Sequence, residues 1–100
     1  MHLALASPNP NRQIACMNSK HRATLKAVFA NPVSGTLAWD AIERLFLAVG
    51  CEAIEGDGSR VRFVKNGVVG AFHRPHPAKE AKRYQVRDAR EFLSKLGIEP

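Results

Sequence analysis

The chain has 100 residues, 45% of them apolar, with 15 Lys and Arg against 9 Asp and Glu and a formal charge of +6. That length suits one domain with a modest core and leaves little room for a second. Ordinary Gly and Pro usage excludes a low-complexity chain, and no run is apolar and long enough to predict a membrane span.

Residues 1–17 read as a tail, with one domain expected over 18–100. "MHLALA" gives way too soon to "SPNPNRQ" to act as a secretory signal, and the prolines there resist helix and strand. Without an export signal, Cys16 and Cys51 are expected as free thiols of a reducing compartment, which places the protein in the cytoplasm. Asn18 or Ser19 offers a helix N-cap. Leu25, Val28 and Phe29 form a short apolar stripe, and Asn31-Pro32 stops it.

After a turn at "VSGT", the stretch "LAWDAIERLFLAVG" predicts a helix. Trp39, Ile42, Leu45, Phe46 and Val49 fall on one side, acids occupy the first turn, and Gly50 ends it. "CEAIE" is a short strand whose apolar side is Cys51 and Ala53, with Ile54 less clearly placed. "SRVRFV", Asn66-Gly67 and "VVGAFHR" are two alternating runs about a two-residue loop, the preferred hairpin of type I′. A last helix, about Tyr84 to Leu96, buries Val86, Ala89, Phe92, Leu93 and Leu96, and Gly97 ends it. The expected fold is α+β, with helices packed on one face of a three-stranded antiparallel sheet.

The Asn-Gly loop sets a register. Lys65 faces Val68, Val61 faces Phe72, and Arg60 faces His73. Alternation then sends Val61, Phe63 and Phe72 toward the helices, with Arg60, Arg62 and His73 together on the solvent face. Charge is segregated as well. Asp40 to Asp57 is acidic, whereas Arg60 to Lys95 carries ten cations against Glu80, Asp88 and Glu91. Such a half suits a polyanion, most simply nucleic acid.

Four fragments, "LFLAVG", "GSRVRF", "RPHPAKE" and "FLSKLGI", resemble in order and spacing the HicA-type toxins of bacterial toxin–antitoxin systems, from about Trp39 to Ile98. The resemblance implies a double-stranded-RNA-binding-like fold. It also implies an endoribonuclease that cleaves mRNA and is blocked by a HicB-type antitoxin. One position departs from the family. The catalytic histidine expected after Gly-Ser on the second strand is Arg60 here. His73, its cross-strand neighbour, is the candidate to supply the imidazole, with Arg60 on the scissile phosphate and His76 of the "PHP" segment as a second proton carrier.

Arg62, Lys65 and Arg74 are the expected RNA contacts on the hairpin. Lys79 and Lys82 lead a further basic set with Arg83, Arg87 and Arg90 around the last helix. No metal-ligand spacing is present, so no metal or other cofactor is expected. The competing expectation is a catalytically inactive RNA-binding or antitoxin-binding module of the same fold.

Overall fold

The computed structural model describes residues 17–100; the expected tail therefore lies outside the described residues except for Met17, which is buried in the core. The elements are α1 (Ser19–Val28), α2 (Trp39–Ala48), β1 (Glu52–Glu55), β2 (Arg60–Lys65), β3 (Val68–His73) and α3 (Arg83–Lys95). The architecture is α+β, an antiparallel sheet in the order β1-β2-β3 with the helices on one side. Behind the additional α1, the helix–strand–strand–strand–helix order is that of the expected double-stranded-RNA-binding-like fold.

Local chemistry explains the boundaries. The Asn18 side chain accepts a hydrogen bond from the His21 N–H and so caps α1, which satisfies a donor that helical bonding leaves over. The second helix starts at Trp39, later than the apolar run, because the residues before it are taken up elsewhere. Ala38 bridges Glu80, Ala81 N–H donates to the Leu37 carbonyl, and Trp39 N–H donates to the Lys79 carbonyl. The Pro-His-Pro loop is thereby fastened to the N-terminus of α2. Gly50 follows α2 at φ 101°, a left-handed conformation that glycine adopts without strain.

The expected hairpin register is found residue for residue, with Lys65 opposite Val68 and Arg60 opposite His73. Asn66 and Gly67 both have positive φ, 53° and 80°, as a type I′ turn requires. On the helix-facing side, Phe46 of α2 meets Phe63, Phe72 and Phe92 at ring-centroid distances of 4.9, 5.5 and 5.1 Å. Gly70 lies opposite Phe63 because a Cβ there would come within 2.8 Å of Phe92. A β-carbon would displace a core ring.

Two expectations about burial change. Leu96 is half-buried, and its place in the core is taken by Ile98, which is fully buried. The alternation expected in β1 is absent, since all four residues of the strand are exposed. Cys51 alone of that segment is buried, just before the strand begins. It is a free thiol, and burial pushes its pKa up to about 11 against a smaller opposing pull from Lys65.

Candidate nucleic-acid interface

Arg60 and Arg62 on β2 and His73 on β3 are exposed on the sheet face opposite the helices. They line one open concavity of about 470 Å³ together with Gly56, Asp57 and Ala71. Arg60 and His73 are direct cross-strand partners, so their β-carbons lie about 5 Å apart. Neither their side chains nor that of Arg62 has a protein hydrogen-bond partner among the described residues.

The floor beneath His73 is held from behind. The buried Gln85 side chain uses both ends of its amide: Nε2 donates to the His73 carbonyl at 2.6 Å, and Oε1 accepts from Lys82 N–H at 2.9 Å. One side chain thus joins the end of β3 to the start of α3. Sequence reasoning missed it. The available signal was a Gln three residues after the N-cap, half of a capping box whose other half is Lys82 where Ser or Thr would stand.

The other expected site residues are not gathered here. Lys65 shares the parity of Val61 and Phe63, so it leaves the rim of the helix-facing side, and its ammonium donates to the Val49 carbonyl at the C-terminus of α2. A cation there also meets the negative end of the helix dipole. Arg74 likewise continues the parity of Phe72. Its Nε donates to Glu43 of α2 at 2.6 Å, and its Nη1 and Nη2 donate to the two oxygens of Glu55 at 2.6 and 2.8 Å. Both were expected as RNA contacts; both are committed to the protein's own carbonyl and carboxylate oxygens.

Glu43 also accepts from Trp39 Nε1 at 2.5 Å, so the carboxylate that holds Arg74 is itself held. The Glu55 pKa is lowered, chiefly by the hydrogen bonds from Arg74, and that of Arg74 is raised by the same contacts and by Glu43. His76 and Lys79 line a separate concavity of about 710 Å³ with Asp40, Glu43 and Pro77. His76 and His73 therefore open onto different spaces.

In the remaining basic set, Arg90 donates to the Val28 and Ala30 carbonyls at 3.0 and 2.9 Å and lies 5.9 Å from the Phe29 ring centre. It closes the end of α1. The Arg83 guanidinium lies so close to Gly35 that a Cβ there would fall within 2.9 Å of it. Lys82 is the backbone N-cap of α3, with its side chain exposed.

A family model described as the HicA toxin of bacterial toxin–antitoxin systems matches residues 39–98. The chain belongs to the HicA toxin family. The match begins at the first residue of α2 and ends at the buried Ile98, so it takes in the whole sheet, α3 and the concavity around Arg60 and His73. The helix α1 stands outside it. As a HicA family member, the protein is a toxin of a toxin–antitoxin pair, and no described helix is long and apolar enough to cross a membrane. No curated protein and no solved structure matches the chain.

Proposed function

We propose that this HicA family toxin is an endoribonuclease that cleaves mRNA without a metal ion and is blocked by a HicB-type antitoxin. One observation carries the reading: Arg60 and His73 are cross-strand partners in a single open concavity, and no group among the described residues satisfies either side chain.

Imidazole titrates near neutrality and is suited to take the proton of a ribose 2′-OH. As that proton passes to His73, the 2′-oxygen bonds to the adjacent phosphorus and the bond from phosphorus to the 5′-oxygen breaks. The 5′-oxygen takes a proton from solvent, and the products are a 2′,3′-cyclic phosphate and a free 5′-OH. The Arg60 guanidinium presents a planar pair of N–H donors to the non-bridging oxygens, where charge accumulates in the transition state. Arg62 extends the cationic surface along the strand. His76 takes no part in this step because it opens onto the other concavity; with Lys79 and Lys82 it belongs to a secondary path for the RNA backbone.

Labelled RNA incubated in EDTA tests the assignment. His73→Ala is expected to lower the cleavage rate by about 100-fold or more, the usual contribution of a positioned general base. Arg60→Ala is expected to lose a comparable factor, about 100-fold, as for removal of one oxyanion donor. His76→Ala should cut nearly as the wild type does. Cleavage that survives His73→Ala would remove the imidazole from the mechanism.

A second reading is favoured by the arginine that stands at the family's histidine position, namely an RNA-binding module without cleavage. Steeply salt-dependent RNA binding by a protein that never cuts would replace the first reading with this one.

A further inference from the structure

The solvent face of the sheet has two chemically different ends. Reading across the strands, one row is Glu52, Val64 and Val69, the next is Ile54, Arg62 and Ala71, and the last pairs Arg60 with His73. Val69 is 55% exposed and Ile54 36%, whereas Val61, Phe63 and Phe72 of the opposite face are buried. An aliphatic patch thus adjoins the cationic concavity on a surface that no described helix covers.

We propose that the aliphatic end, Val64, Val69, Ile54 and Ala71, is the anchor for the antitoxin polypeptide and lies outside the RNA path. The proposal rests on the toxin reading above and names the half of the face that each ligand uses. RNA is recognised through phosphate, which needs cations and N–H donors, and through bases, which need polar edges or flat rings. Aliphatic side chains provide none of these, and Glu52 at the end of the valine row repels phosphate.

A polypeptide carrying apolar side chains beside carboxylates matches both ends at once. Its apolar groups cover the valines while its acids reach Arg62 and Arg60, which form no ion pair among the described residues. A second copy of this chain matches poorly, because its equivalent face brings further arginines and Glu52 as the one acid in these rows. An apolar centre beside a charged rim is also the arrangement in which association energy concentrates on a few residues. The antitoxin would then shut the cleft without imitating RNA.

The test uses the HicB-type antitoxin, purified by co-expression with the full chain, together with labelled RNA. Val69→Asp is compared with Val64→Lys, Val69→Thr and the wild type, and thermal melts check that each variant is folded. Val69→Asp is expected to weaken antitoxin binding by about 30-fold or more, the loss at a central interface residue. RNA cleavage should stay within about twofold of wild type, as for a surface change away from the chemistry.

Antitoxin affinity unchanged by both charged variants would overturn the proposal, as would a parallel fall in RNA cleavage. A free wild-type dimer that Val69→Asp dissociates would assign the patch to self-association instead. If the wild type never cuts RNA, the enzymatic reading fails by itself, and the antitoxin titration still decides this one.

Discussion

The cations on the two sides of the hairpin look alike in sequence and do opposite things in the fold. Lys65 and Arg74 extend the inward parity of β2 and β3, so each leaves the edge of the core and finds an oxygen of the protein itself. Arg60 and Arg62 have the outward parity and meet no carboxylate among the described residues. A guanidinium held at both nitrogen edges by Glu43 and Glu55 has little left to offer a phosphate. An unclaimed guanidinium retains its full hydrogen-bonding capacity. Within this hairpin, strand parity separates the cations that hold the fold together from those available to a ligand.

The largest test of that contrast sets Phe63→Ala against Arg62→Ala, neighbours pointing to opposite faces. Phe63 is fully buried between Phe46 and Phe72, so its truncation should cost about 3–5 kcal/mol in denaturant unfolding. Arg62→Ala should change stability by less than about 0.5 kcal/mol while reducing RNA affinity and flattening its salt dependence. Comparable losses of stability in the two variants would erase the distinction between the faces. Gly70→Ala is the next strongest, at about 1–3 kcal/mol, because the new methyl meets the Phe92 and Phe72 rings.

Much of this division was legible in the sequence. The Asn-Gly loop and the alternating runs specify every pair of the hairpin, since a slip by one residue would bury Arg60 and Arg62 and expose Phe63. The same parity also marks Lys65 and Arg74 as inward. What it could not reveal were their partners, because Arg74 meets a carboxylate 31 positions earlier and Lys65 a carbonyl 16 positions earlier. Those contacts exist only once α2 has packed on the sheet. His76 was unreadable for a different reason, as it lies between two prolines in a segment without periodicity. Gln85 was missed because a lysine occupies the cap position that normally announces its motif.

Smaller effects sharpen the contrast at the sheet rim. Arg74→Ala should cost about 1–2 kcal/mol at neutral pH, as it leaves the largely buried Glu43 with the indole N–H as its remaining partner. The loss should depend on pH. Arg74 depresses the folded-state pKa of Glu55, so this pairing contributes fully above the ordinary value of 4.5 and fades as pH falls through the lowered one. The stability curves of wild type and Arg74→Ala should therefore draw closer in acid by the share due to Glu55, and a constant gap would show that Glu55 is not involved. Lys65→Met, which keeps most of the stem and removes one bond to a helix-end carbonyl, should cost about 1 kcal/mol or less. It should leave RNA affinity unchanged.

The Asn66–Gly67 reversal offers a practical handle. Nothing lies within 4 Å of the position where Gly67 would carry a side chain, yet its positive φ disfavours most replacements. Asn66, exposed beside it, is left-handed as well at φ 53°, a conformation asparagine tolerates better than most residues, so a fluorophore coupled there costs some turn stability. A dye there would sit about 20 Å along the strand from Arg60, close enough to report an arriving RNA by energy transfer without occupying the groove it enters.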